Sequence, residues 1–181
     1  MTHCILIGAP MDEGQRRAGC LMGPAAYRVA GLAQTLTTLG HTVEDRGDVA
    51  PGPAGDETTA NPAVDRLPQV VAWTRALRAA AESAMADGMP LFMGGDHALS
   101  LGTVAGVAAY AARAGRPLFV IWLDAHSDFH TVESTTSGNL HGTPMAYASG
   151  RAGFAGFPPF PAPVPGENIC MFGIRSVDPA E

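Results

Sequence analysis

Five short runs rich in Ile, Leu, Val and Phe, each bounded by Gly, Pro or Asp, recur along this chain, at residues 4–7, 41–45, 91–93, 118–123 and 168–172. Runs of that length and composition predict buried strands. Between them lie Ala-rich stretches of helical length, at 24–39, 67–86 and 99–114. Pro24 stands where a helix opens, Gly40 lies just past the end of the first stretch, and Asp96 precedes the third as a cap. Alternation of strand and helix predicts an α/β fold of three layers, α/β/α, around a mainly parallel central sheet. In such sheets chemistry gathers outside the carboxyl ends of the strands.

The rest of the sequence narrows the class. With 181 residues, 46% of them hydrophobic and 15% charged, the chain reads as one globular domain over 1–181. The 11 basic residues are all Arg and face 17 acidic ones, a net charge of -6. That leaves no basic surplus for a phosphate backbone, so nucleic acid is not an expected partner. No apolar run approaches the roughly 20 residues that span a bilayer, so no membrane partner is expected. Cys4, Cys20 and Cys170 are odd in number and far apart, which argues for a reducing compartment. The opening residues read as a strand and not as a signal peptide, and the expected location is cytoplasmic. Segments 50–62 and 150–166, rich in Pro and Gly, read as loops.

Three segments carry chemistry. Trp122-Leu123-Asp124-Ala125-His126-Ser127-Asp128 follows an apolar strand and sets Asp, His and Asp at alternate positions, which share a face in extended backbone. Such a mixed oxygen and nitrogen set suits Mn or another divalent first-row ion, with Co and Ni also acceptable. The alternative is that both Asp side chains make only local turn hydrogen bonds. Leu91-Phe92-Met93-Gly94-Gly95-Asp96-His97 delivers His97 to the same sheet edge, although a Gly-Gly turn capped by Asp96 needs no metal. Ser137-Gly138-Asn139-Leu140-His141-Gly142 offers a hydroxyl, an amide and a titratable imidazole on one loop, or else a polar loop bonded to its own backbone.

Taken in order, Gly94-Gly95-Asp96-His97, Asp124-Ala-His-Ser-Asp128 and Ser137-Gly-Asn-Leu-His-Gly142 resemble the ureohydrolase family, and within it the arginase branch. Gly8-Ala9-Pro10, Gly14-Gln15-Arg16-Arg17-Ala18-Gly19 and Gly23-Pro24 are similar to that family's opening, and Arg175-Ser-Val-Asp-Pro-Ala-Glu181 to its next substrate-contacting turn. The resemblance runs along the whole chain and implies an arginase/deacetylase-like fold. It also implies hydrolysis of L-arginine to L-ornithine and urea, in arginine metabolism and the urea cycle, with two Mn2+ ions and a bridging hydroxide as nucleophile. Asp124 would bridge both ions, His97 and Asp128 would complete one ligand set, and His126 would serve the other. His141 would shuttle the proton. Ser137 and Asn139 would hold the substrate's α-carboxylate, and Asp178 and Glu181 its α-amino group.

Two departures accompany the resemblance. His130 stands where many members carry a carboxylate-binding Asn, which places it among the substrate-binding residues with a changed side chain. The family's Asp-x-Asp ligand motif and a later Glu do not occur before Glu181, so four of six expected metal ligands are here. The expectation is therefore an N-terminal portion of the domain, truncated before its last strands, inactive by itself, and a homo-oligomer, trimer or hexamer, when complete. Those strands would lie between the strand ending near His97 and the one starting near Leu118, leaving either a gap with unpaired edges or an unfamiliar closure. Two other readings stand beside it: an agmatinase or guanidino-acid hydrolase, and a non-catalytic metal-binding remnant. Ser137, Asn139 and Asp178 argue against agmatine, which has no carboxylate.

Overall fold

Strand β1 (His3–Ala9) lies between β2 (Thr42–Asp48) and β3 (Met89–Gly94), and all three run parallel. These are features of a computed structural model that describes residues 1–181. Cys4, Ile5, Leu6 and Ile7 are all buried, so both faces of β1 are covered. A strand without a polar face belongs to a layered α/β sheet, the architecture that the alternation of runs predicts. β2 is the charged outer edge: Arg28 bonds Asp45 through Nε at 2.7 Å and Asp48 through Nη1 at 2.6 Å, and Arg46 bonds Asp87 at 2.7 Å. Charge on an outer strand discourages further strand pairing.

The helices follow their predicted positions with one correction. Residues 24–39 form two helices, α1 (Gly23–Val29) and α2 (Leu32–Thr38), and not one. Gly31 stands between them at φ 80°, a left-handed conformation that ends a helix. Its N–H bonds the Arg28 carbonyl at 3.0 Å while its own carbonyl starts α2 by accepting from Thr35 at 2.9 Å. α3 (Leu67–Asp87) and α4 (Leu99–Arg113) pack on each other, and Val70, Val71, Leu77, Leu101 and Ala105 join the main core. Both α1 and α3 touch β1 and β3.

The strands do not form one continuous sheet. β4 (Val120–Leu123) pairs in parallel with β5 (Ile169–Phe172), apart from the other three. Residues 118 and 119 stay outside the strand because pairing begins with Val120 opposite Ile169. Of the two outcomes foreseen, the gap is the one found: β3 and β4 face a groove of about 400 Å³ whose lining includes Met85, Phe92, Val104, Phe119 and Ile121. No strand lies between the two edges to join them.

A short helix, α5 (Pro144–Ala148), was not expected; all five of its residues are buried. Its first free N–H groups, from Met145 and Ala146, donate to the Asp128 carbonyl at 3.1 and 3.2 Å, so α5 locks the segment after β4. Segments 50–62 and 150–166 are irregular, as the sequence implies. Tyr147 anchors the second of these by packing on Phe154, Phe157 and Phe160 and donating to the Pro158 carbonyl at 2.5 Å. The three cysteines are unpaired. No helix is long and apolar enough to cross a membrane.

Candidate metal centre and substrate cavity

The carboxyl ends of β3 and β4 open on the same side, and each runs directly into a chemistry-bearing segment. After β3, Asp96 turns inward and accepts the Ala98 N–H at 2.7 Å on one oxygen and the Gly14 N–H at 2.8 Å on the other. It therefore ties the loop after β1 to the approach of α4, whose own N-cap, Ala98, has no side-chain cap bond. Burial raises the Asp96 pKa against the pull of those two N–H groups. The expected cap thus acts one step earlier, as a brace between two loops.

After β4 the backbone leaves the extended conformation, which corrects the alternation argument. Asp124 Oδ1 accepts the His126 N–H at 2.9 Å, and Asp128 lies at φ 52°. Asp tolerates that left-handed region better than most residues. The two carboxylates meet because the chain turns, not because a strand continues. His97 then closes the group, with Nδ1 3.7 Å from Asp124 Oδ2 and Nε2 3.4 Å from Asp128 Oδ2. Donor atoms of His97, Asp124 and Asp128 all lie within 4.8 Å of one another. The Trp122 indole fixes both partners: its N–H donates to Asp128 Oδ2 at 3.3 Å, and its ring meets His97 edge-on at 4.9 Å. His126 sits beside this group, with Nδ1 3.4 Å from Asp124 Oδ1 and its side chain 61% exposed.

The electrostatics are those of a site built for positive charge. Burial and the neighbouring Asp124 push Asp128 up to about 7. Burial also acts to raise Asp124, but the His126 N–H and the His97 ring outweigh it and hold that carboxyl below its ordinary value. Burial lowers His97, whose Nε2 is enclosed without a hydrogen-bond partner. A cation would give that orphaned nitrogen a partner and relieve the repulsion between the two carboxylates. Oxygen and imidazole donors fit a divalent first-row ion such as Mn2+.

All ten residues singled out in the sequence line one cavity of about 410 Å³: His97, Asp124, His126, Asp128, His130, Ser137, Asn139, His141, Asp178 and Glu181. None of the lining is hydrophobic. Ser137 Oγ accepts the Asn139 N–H at 3.2 Å, and Asn139 Oδ1 is buried without a partner. Gly138 between them sits at φ 72°, where a Cβ would fall 1.8 Å from the Ala63 carbonyl oxygen, so no other residue fits. His141 enters from a short 3-10 turn, Leu140–Gly142, whose His141 N–H bonds the Gly14 carbonyl at 3.0 Å. Burial depresses the His141 pKa, although Asp96 pulls the other way.

The last residues complete the lining. His130 Nε2 lies 3.0 Å from Asp178 Oδ2. Glu181 accepts the Asp178 N–H at 2.8 Å and the Phe129 N–H at 3.2 Å, bonds that outweigh the effect of burial and lower its pKa. Three more cavity residues, Thr135, Gly142 and Ser176, fall within or beside the motifs but were given no role by sequence, and two braces escaped sequence reasoning altogether. Asn61 donates to the Val132 and Thr135 carbonyls at 2.9 and 2.8 Å, and Arg151 to those of Phe129, Ala180 and Glu181 at 2.7, 3.1 and 3.2 Å. Neither lies in a motif; each acts on backbone far away in sequence.

The chain is similar to known proteins. The chain is 53% identical over 180 residues to an arginase of Brucella melitensis, covering 99% of this chain and 59% of that protein. It is similar in structure to the arginase of Bacillus caldovelox in its native form at pH 5.6, with a TM-score of 0.81 and 37% identity, covering 98% of this chain and 60% of the other. An arginase of Entamoeba histolytica in complex with L-ornithine aligns with a TM-score of 0.82 at 28% identity, over 99% of this chain and 60% of that one. The chain spans about three-fifths of the length of the relatives it matches. The family model for the arginase family matches residues 2–181, so this chain, with its three-layer α/β fold and its His- and Asp-lined cavity, belongs to the arginase family.

Proposed function

We propose that this domain serves the hydrolysis of L-arginine to L-ornithine and urea, with Mn2+ as the metal. The observation that carries the reading is the convergence of His97, Asp124 and Asp128 in an entirely polar cavity that Ser137, Asn139, Asp178 and Glu181 also line. The first group suits a cation, and the second suits the two charges of an amino acid. Family membership and the ornithine-bound Entamoeba relative point to the same substrate class.

His97, Asp124, His126 and Asp128 would hold the Mn2+, which would supply the Lewis acidity that lets water act as a nucleophile near neutral pH. The other residues follow from their own chemistry. His141, kept neutral by burial, gives and takes the proton that the leaving amine requires. Ser137 and Asn139 donate to the α-carboxylate, while Asp178 and Glu181 take the α-ammonium. A substrate lacking the carboxylate leaves polar groups unpaired, so the site favours L-arginine over agmatine.

A second reading applies to the 181 residues by themselves. Three convergent donors with His126 alongside are few for a divalent pair, and this favours weak metal binding without turnover. With excess Mn2+, the 181-residue chain is expected to release urea from L-arginine at a background rate. The same residues fused to the part of the Brucella melitensis arginase outside the match are expected to turn over L-arginine and discriminate against agmatine. Equal use of both substrates by the fusion contradicts the substrate assignment. Homo-oligomerisation as a trimer or hexamer and a cytoplasmic location remain part of the proposal for the whole protein.

A further inference from the structure

His130 stands among the expected substrate-binding residues, and its contacts differ from those of a simple substrate ligand. Its side chain is only 12% exposed, against 61% for its partner Asp178. Nδ1 lies 3.2 Å from Ser134 Oγ and Nε2 3.0 Å from Asp178 Oδ2. Asp178 Oδ2 is a carboxylate oxygen and only accepts, so Nε2 carries the ring proton and donates it, and Nδ1 accepts from the Ser134 hydroxyl, whose oxygen also takes the Thr131 N–H at 2.8 Å. Both ring nitrogens are thus committed to the protein. Asp178 is held from two sides, by His130 at its side chain and by Glu181 at its backbone N–H, at 2.8 Å. Its Oδ1 makes no bond within the protein.

We infer that His130 is a positioning residue for amino-group recognition: it holds Asp178 by one carboxylate oxygen so that the other is presented to a primary ammonium on the substrate. The inference rests on the arginase-type reading of the cavity and goes beyond it, because it moves His130 from contact with the carboxylate to control of the amino end. Specificity for an α-amino acid over its desamino analogue then depends on a residue that does not touch the ligand.

The test compares L-arginine with 5-guanidinopentanoate, the same molecule without its α-amino group, by calorimetric titration into the 181-residue chain supplied with Mn2+. His130→Ala should weaken L-arginine about tenfold, the size of one charge-assisted hydrogen bond, and leave 5-guanidinopentanoate within about twofold. His130→Gln, whose amide nitrogen reaches the place of Nε2, should restore L-arginine binding, whereas His130→Asn should not. In an Asp178→Asn background the His130→Ala change should have no further effect. Equal losses for both ligands, or no rescue by Gln, overturn the proposal. If the unaltered chain binds neither compound, as the second reading of the 181 residues by themselves foresees, nitrogen NMR of labelled histidine decides the positioning separately. A His130 ring protonated at Nε2 and perturbed by Asp178→Asn supports it; an Nδ1–H ring, or one indifferent to Asp178→Asn, overturns it.

Discussion

The two halves of the sheet are finished differently. In β1 all of Cys4, Ile5 and Leu6 are at 0% exposure, whereas on β4 Ile121 and Leu123 are 68% and 76% exposed and Phe172 on β5 is 55% exposed. Their edges differ as well: β2 faces outward with Glu44, Asp45, Arg46 and Asp48, while β3 and β4 present an apolar groove. A charged edge is made for water and an apolar one for cover. The proposed metal centre spans this divide, because His97 comes from the finished half and Asp124 and Asp128 from the unfinished one. Its geometry therefore depends on how firmly the β4–β5 pair is held.

The sharpest way to break this contrast is to truncate matched residues in the two halves. Ile5→Ala in β1 is expected to cost about 2–5 kcal/mol through lost burial and the cavity left behind. Ile121→Ala on the exposed face of β4 should change stability by less than about 0.5 kcal/mol. Urea denaturation measures both, and similar losses would show that β4 is covered after all.

Asp128 gives an intermediate effect with a definite sign. Its pKa rises from 3.8 to about 7 in the folded chain, so its protonated form is favoured by folding. The stability it contributes is complete below the unfolded value near 3.8 and is lost as pH climbs through about 7. Metal-free protein should therefore lose stability between those limits relative to Asp128→Asn, which cannot ionise. Mn2+ should reverse the trend by favouring the carboxylate. Thermal melts of both variants across that range, with and without Mn2+, check the sign.

A smaller effect is expected on the cavity loop that carries Ser137 and Asn139. Gly138→Ala meets both a left-handed backbone and the Ala63 carbonyl, and should cost about 1–3 kcal/mol. The same change should weaken L-arginine more than Mn2+, since it displaces Ser137 and Asn139 and no metal donor. Parallel titrations with the two ligands separate these effects.

What was legible in the sequence was what local pattern controls. Apolar runs gave five strands, Ala-rich stretches gave the long helices, motif spacing gave seven of the thirteen cavity residues, and the family resemblance added His130, Asp178 and Glu181. What was hidden depends on backbone hand or on distant partners. Gly31 looks like any helical glycine until its φ of 80° splits the helix. Alternate spacing at Asp124 and Asp128 suggested a strand, but the left-handed Asp128 supplies the convergence. The division into two sheets is a matter of which edges find partners, and no single run of residues encodes that. Trp122, Asn61 and Arg151 brace the cavity through two or three contacts each that carry no periodic signature.

The central claim is that His97 and Asp128, brought from separate sheets, hold one divalent cation. Electron paramagnetic resonance reads it directly, because free Mn2+ gives a sharp signal that binding removes. Titrated with the 181-residue chain, the signal should fall, and with His97→Ala or Asp128→Ala it should persist at protein concentrations where the unaltered chain removes it. Equal loss of signal with both variants would contradict the account, since the cation would then be bound elsewhere.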